Sequence, residues 1–573
     1  MLTTRVSRES WLLVVMALLV LGAGLGLRDP WPSDEPRFAL VAKQMVDSGE
    51  WLFPHRGLEL YSDKPPMLMW LQAALYSLLG NWRIAFLLPS LLAALGTLWC
   101  VQDLGRRLWT RRVGLYAAWM LLFALHFTFQ AKKAQIDPLI VFFITLANYG
   151  LIRHLLLGPA WRWWWLGWFA AGLGVITKGV GVVALLMIVP AALASVWVWR
   201  GVGLSVRRWQ FWVAPLVFLL AIALWLVPMV VTALATGSSE YRAYMDDILF
   251  RQTAKRYAQS WDHHQPWWYF LATMPSMWIP AFLAVPWAIP AWWRRLRRRD
   301  PRYFVLLGWW ALIVLFFSIP DGKRDVYILP SLPMFCLALA PLLPGLLRKR
   351  AFQWLLAAFT ALLAALTLAA GIAMLAGQPG FESRLMGSRG IDSSVTAALA
   401  WAAVAMGCWG VASLAVWGRG RAQIAVVSTL TVIWLLYSLV GYPLLNASSS
   451  ASGLMQAVGR RIGPSAELGL VAWKEQNLLM ADRPAATFGF QKRWEAQLRE
   501  GVDWLAEAPR ARWLLVQEDA LLGCVDRSRA ELAGIANRRR WWLLQSDAVV
   551  GACVPTAEER ARERRLQSRQ ADE

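Results

Sequence analysis

Apolar runs about as long as a bilayer is thick recur from residue 11 to residue 445. A helix of roughly 20 apolar residues crosses the ~30 Å hydrocarbon layer, where its backbone polar groups must be satisfied internally. About thirteen runs are read, at 11–27, 84–104, 113–130, 138–152, 163–177, 180–199, 211–235, 268–292, 303–319, 327–346, 353–376, 395–417 and 422–445. The 573 residues are 58% hydrophobic and only 16% charged, whereas a soluble domain carries about 25% charge. The expected fold class is a mainly α membrane protein of about 13 transmembrane helices, with a small C-terminal α/β domain.

A formal charge of +22 would suit a nucleic-acid binder, but its distribution does not. The cations form short clusters between apolar runs: Arg5/Arg8, Arg106/Arg107/Arg111/Arg112, Arg153/Arg162, Arg200/Arg207/Arg208, Arg294 to Arg302, Arg348/Lys349/Arg350 and Arg419/Arg421. Short connections rich in Lys and Arg face the cytoplasm. The expectation is a multi-pass bacterial inner-membrane protein with a cytoplasmic N-terminus. An odd span count places the C-terminal tail in the periplasm. The first run has a signal-peptide-like core, but Leu-Gly-Leu-Arg-Asp-Pro is a poor cleavage site and many spans follow, so an uncleaved anchor is expected.

Two outward connections are too long to be simple links. From Arg28 to Pro66, Pro36 suits a first helical turn after Ser33-Asp34-Glu35, and Phe38, Leu40, Val41, Met45 and Val46 form a stripe at helical spacing. The pattern predicts an amphipathic helix on the outer membrane face, with a second, short one over Met67 to Leu79. The other loop, Thr236 to about Pro266, carries Tyr241, Asp246, Asp247, Arg251, Lys255, Arg256, His263 and His264. The adjacent histidines could ligate a metal, although in a polar loop a solvated pair is the plainer reading.

Composition changes near residue 446, which divides a transmembrane domain, 1–445, from a periplasmic α/β domain, 446–573. Strands are expected at Glu467–Trp473, Ala485–Phe490, Arg512–Val516 and Trp541–Leu544, with a helix at Glu495–Glu507. Cys100, Cys336 and Cys408 lie in apolar runs as packing residues. Cys524 and Cys553 share the outward tail, where a disulfide between them is permitted.

Ionisable residues gather at the outward ends: Asp34, Glu35, Arg37, Asp63, Lys64, Lys132, Lys133, Asp137, Lys178, Lys323, Arg324 and Asp325. Cations there can simply snorkel to the interface. The acids gain nothing from topology, so Asp34, Lys64 and Asp137 point to a site. Such a mixture suits a phosphate-bearing ligand: Lys and Arg grip phosphate oxygens. Carboxylates act as general base or hold a divalent cation against the phosphate. Asp34 and Asp137 are the candidate catalytic residues. Glu35, Arg37, Asp63, Lys64, Lys178, Arg256, Lys323 and Tyr327 are the candidate substrate-binding ones.

The stretches SDEPRFALVAKQMVDSGEW, YSDKPPMLMWLQAALYSLLG and LLPSLLAALGTLW resemble the bacterial branch of the protein O-mannosyltransferase-like superfamily of GT-C membrane glycosyltransferases. Within it they are similar to the family of lipid A 4-amino-4-deoxy-L-arabinose transferases. KKAQIDPLIVFF, GVITKGVGVVALL, HHQPWWYFL and FFSIPDGKRDVYILPSLP follow in the same order, so the resemblance covers about residues 10–345. It implies transfer of a sugar, with inversion, from a polyprenyl (undecaprenyl) phosphate donor to a lipid A or other envelope glycan acceptor. Asp34 then matches an acidic residue implicated in catalysis, and Arg37 and Lys64 match contacts to the donor phosphate. Asp137 matches a second carboxylate, Lys178 follows a TKG motif near the site, and Tyr327 belongs to a YILP motif lining it. A hydroxyl acceptor needs Asp34 as a true base, whereas an anionic lipid phosphate does not. The competing readings are a protein O-glycosyltransferase of the same fold and a lipid-linked sugar transporter or flippase; the latter expects repeated halves that the sequence lacks.

Overall fold

The computed structural model describes residues 8–250, 264–377, 391–561 and 563. Among them, eight helices are long and apolar enough to cross a membrane: Trp82–Leu108, Ile136–Leu157, Trp209–Ala235, Pro301–Ser318, Asp325–Leu346, Arg350–Leu375, Ser393–Trp417 and Ala422–Ser449. Two bent pairs, Arg111–Phe123 with Leu125–Ala131 and Tyr269–Met277 with Ala281–Arg297, make ten if each is one span. The remaining three expected spans fall on Arg8–Gly22, Trp161–Lys178 and Val180–Val196, which do not meet the same measure. By length and composition, eight to ten helices among the described residues are able to cross a membrane, and the expected thirteen are not confirmed.

Small residues set how closely the helices pack. A Cβ added at Gly150 would lie 2.3 Å from the Trp163 carbonyl oxygen, so Ile136–Leu157 and Trp161–Lys178 need glycine at their contact. At the basic end, Asp103 accepts hydrogen bonds from Arg106, Arg107 and the Tyr149 hydroxyl, which offsets part of that charge.

The first outward helix, Glu35–Ser48, starts with Pro in its first turn and stops at Gly49, whose φ of 77° is the left-handed conformation that favours glycine. Its apolar stripe was expected to rest on lipid. Protein covers it instead. Phe38, Val41, Ala42 and Met45 pack with Leu68, Met69, Ile136 and Leu139. Ala39 and Leu40 pack with Met455 and Leu479 of the C-terminal domain. The period-3.6 pattern reports a buried face without saying what buries it. The second outward helix, Met67–Leu79, is 13 residues long.

The C-terminal region is a five-stranded mixed sheet. Glu467–Val471 pairs in parallel with Ala485–Thr487 and Arg512–Gln517, and Arg539–Leu544 continues antiparallel from the latter. Alternate side chains serve opposite faces. Leu514 and Val516 pack with Leu498 and Leu505 of the helix Trp494–Glu507, while Leu515 joins Leu40 and Met455 on the other face. Sequence reading missed the edge strand Glu531–Ala536, whose alternation is interrupted by a register shift between Leu532 and Gly534. Of the cysteines expected to pack, Cys100 and Cys336 are buried, but Cys408 is exposed on its helix.

Cys524 and Cys553 form a disulfide, with Cα atoms 5.0 Å apart across a sequence separation of 29. Closing a loop of that length stabilises the fold by about 3.6 kcal/mol in chain-entropy terms. The double serine variant, C524S/C553S, is therefore expected to unfold the C-terminal domain at lower denaturant, with the membrane helices retained by circular dichroism. An unchanged midpoint would refute this.

The loop before the first outward helix is fixed by a buried ion pair. Arg28 and Glu35 are 2% and 4% exposed at their side chains and meet in a two-pronged contact, with Nη2 to Oε1 at 2.7 Å. The same carboxylate accepts from the backbone N–H groups of Trp31 and Ala134, at 2.8 and 2.9 Å. Arg28 also donates to the Lys132 carbonyl at 3.1 Å. Removing one partner of a buried pair typically costs about 3–5 kcal/mol. Glu35→Ala and Arg28→Ala are expected to lose that much in a thermal-unfolding assay, whereas Asp34→Asn should unfold like the parent. Equal stabilities for all three variants would contradict the assignment.

Candidate functional site

Two carboxylates expected to work together diverge at the start of the first outward helix. Glu35 has both oxygens occupied by Arg28 and backbone donors, and it is buried. The expectation that it contacts substrate is therefore corrected: Glu35 is a brace. Asp34 is the N-cap but makes no side-chain capping bond, and its side chain is 23% exposed rather than buried. It lies 3.3 Å from Gln135 Nε2 and 3.8 Å from an Arg37 nitrogen.

The brace brings this helix start beside the link between the spans ending at Ala131 and starting at Ile136. Asp137 occupies the first turn of Ile136–Leu157, and Lys178 the last turn of Trp161–Lys178. Antiparallel packing of these neighbours puts the two groups in contact at 2.5 Å. The Lys178 ammonium stands 5.3 Å from the centre of the Tyr327 ring. Lys133 faces Glu35, Asp325, Asp34 and Asp137, and partial burial pushes its ammonium below the usual lysine range. His126, at the bend of its span, is 3.6 Å from Asp325. Residues separated by some 300 positions thus form one array of alternating charge.

A second group lies beside the first. Arg37 donates from Nε to Glu475 of the C-terminal domain at 3.0 Å. Arg56 stands 3.7 Å from the same carboxylate and 3.5 Å from Asp63. Lys64 follows Asp63 in the turn leading to Met67–Leu79 and is half-buried. Ser62 donates to Asp247, which ties this turn to the second outward loop.

Lys323 does not join either group. It is buried, and its ammonium donates to the Gln265 carbonyl at 2.9 Å, beside the bridge between His264 and Gly322. The expectation that it contacts substrate gives way to a strap between two outward loops. Lys132 is likewise structural, donating to the Val20 and Ala23 carbonyls at the end of the first helix. Arg256 and His263 lie outside the described residues. No group of three or more His, Cys, Asp or Glu that could hold a metal ion occurs among the described residues.

Sequence reading did not place Arg56, Gln135 or Glu475 at the site. Glu475 is 438 positions from Arg37, and nothing local in its surroundings announces the contact. His126 had a usable signal, an isolated ionisable residue inside an apolar run.

Residues 63–230 match the dolichyl-phosphate-mannose-protein mannosyltransferase family. The chain is 30% identical over 388 residues to the undecaprenyl phosphate-alpha-4-amino-4-deoxy-L-arabinose arabinosyl transferase of Pectobacterium carotovorum, covering 64% of this chain and 66% of that one. It is 28% identical over 345 residues to arabinosyl transferase 2 of the same description from Pseudomonas fluorescens, covering 59% and 60%. It therefore spans somewhat under two thirds of these relatives. Among solved structures, ArnT from Cupriavidus metallidurans bound to undecaprenyl phosphate superimposes with a TM-score of 0.70 at 18% identity, over 96% of this chain and 100% of that one. The chain is a multi-pass inner-membrane protein with the GT-C glycosyltransferase fold, similar in sequence to the undecaprenyl phosphate-aminoarabinose arabinosyl transferases.

Proposed function

We propose that this protein transfers a sugar from undecaprenyl phosphate to a lipid A or other envelope glycan acceptor at the periplasmic face. The observation that carries the reading is the array itself: Asp34 beside Gln135 and Arg37, and the Asp137–Lys178 pair two residues along, with Lys133 facing both carboxylates. The sequence relatives named for this reaction support it. The acceptor oxygen attacks the anomeric carbon as the bond to the phosphate oxygen breaks, and the lipid phosphate leaves as an anion. Arg37 and Lys64 stabilise that anion. Asp34 takes the proton when the acceptor is a hydroxyl and orients the acceptor when it is already a phosphate. Asp137 is held by Lys178, whose ammonium also faces the Tyr327 ring, and this group serves the sugar side. A divalent cation would take protein oxygens from Asp34 and Asp137 and the rest from phosphate and water.

The same reading assigns residues 1–445 to the transferase domain and 446–573 to a periplasmic domain, with the N-terminus in the cytoplasm. The Cys524–Cys553 disulfide supports that orientation, because such bonds persist in oxidising compartments. The family match over residues 63–230 favours a second reading, in which the acceptor is a protein hydroxyl.

Purified protein supplied with an undecaprenyl-phosphate sugar and either lipid A or a Ser/Thr peptide separates these readings by product mass. Asp34→Asn is expected to slow transfer to a hydroxyl by about 100-fold or more, the usual contribution of a general base. Lys64→Ala should slow transfer to either acceptor. Parent-like rates in both variants would sink the site assignment. Lipid translocation without any product would favour a transporter.

A further inference from the structure

Glu475 has no part in the reaction as written, yet its surroundings tie it to the donor side of the site. It opens the short helix Glu475–Leu479 of the C-terminal domain, and its side chain is only 4% exposed. Two cations of the outward loop meet it there. Arg37 donates from Nε at 3.0 Å, and Arg56 places Nη1 at 3.7 Å.

Arg56 is itself 6% exposed at its side chain and stacks with its guanidinium carbon 3.9 Å from the centre of the Phe490 ring, another C-terminal-domain residue. Two guanidiniums sharing one carboxylate would repel each other without it, and Arg56 would keep only the half-exposed Asp63 as an anionic partner, at 3.5 Å. Lys474, next in the chain, adds a third cation near the pair. The contact is also directional. Glu475 uses the Nε edge of Arg37, so the Nη edge turns toward Asp34, where Nη1 stands at 3.8 Å. That is the edge through which a guanidinium can grip phosphate.

We propose that Glu475 is a positioning residue through which the C-terminal domain completes the donor-phosphate site, holding Arg37 and Arg56 on one buried carboxylate. The inference rests on the polyprenyl-phosphate reading above. It makes the small domain part of the binding site, so that a bundle lacking it would carry Arg37 without its orientation.

Glu475 could instead serve only to fasten the domain to the bundle, and a second contact at the same boundary provides the control. The Gln491 backbone N–H donates to Glu59 Oε1 at 3.2 Å, and Glu59 meets Arg56 through the paired backbone of their hairpin while its carboxylate serves this boundary. Full-length protein in detergent is titrated with undecaprenyl phosphate, and thermal unfolding is followed in parallel. Glu475→Gln is expected to weaken binding about tenfold, the scale of one charge-assisted contact. Glu475→Asp keeps the charge but withdraws it by one methylene, and is expected to fall between the parent and Glu475→Gln. Glu59→Ala, which removes the acceptor and leaves the hairpin backbone in place, should bind like the parent. The double variant R37A/E475Q should bind no more weakly than R37A alone, because both substitutions remove the same arm.

If Glu475→Gln does not yield folded protein, the Glu475→Asp comparison decides. Unchanged or tighter binding in folded Glu475 variants would overturn the inference, tighter binding marking Glu475 as a competitor of the phosphate. An equal loss in Glu59→Ala would also overturn it, since the effect would then belong to docking of the domain. If the parent protein fails to bind undecaprenyl phosphate at all, the functional reading fails and takes this inference with it. If the parent binds and the Glu475 variants match it, only the inference fails.

Discussion

The buried pair of Arg28 and Glu35 fixes the start of the first outward helix against the link between two later spans. One carboxylate collects a guanidinium and two backbone N–H groups, from Trp31 and Ala134, while the guanidinium reaches the Lys132 carbonyl. Those contacts join the loop after the first helix to the link between two later spans. Neighbouring bonds extend the same frame: Asp29 accepts from Arg83 and from Asn446, at the end of the last bundle helix, at 2.8 and 2.7 Å. An ion pair removed from water contributes little net stability, but it tolerates few alternative arrangements. Its value here is registration of distant segments.

That frame allows adjacent acids to take different tasks. Glu35 is consumed by the scaffold, whereas Asp34, one residue earlier, stays partly exposed next to Gln135 and Arg37. Asp137 and Lys178 neutralise each other at the ends of two packed helices, which makes both tolerable near the membrane boundary. The site is therefore a set of mutually compensating charges rather than a bare basic patch. An incoming lipid phosphate would exchange with carboxylates already in place, which favours selectivity over indiscriminate anion capture.

Much of this was legible in the sequence because the bilayer imposes strong rules on composition. Apolar runs marked the helices, and the outward acids marked Asp34 and Asp137, which the structure places in one array. What was not legible was direction within a local pattern. Glu35 and Lys323 look like their neighbours as letters, yet one is turned into an arginine and the other onto a backbone carbonyl. The stripe of the first outward helix announced burial but could not distinguish lipid from the sheet domain that covers Leu40. The Arg37–Glu475 contact depends on docking of a domain whose own sequence pattern describes only its internal core.

The central claim is that the outward array grips a lipid-linked phosphate. Cryo-electron microscopy of the full chain with undecaprenyl phosphate tests it most directly. The account predicts phosphate density within hydrogen-bond reach of Arg37 and Lys64, with Asp34 facing the phosphate–lipid junction and Glu35 still paired with Arg28. Phosphate density seated elsewhere in the bundle, with Arg37 and Lys64 making no contact to it, would contradict the account.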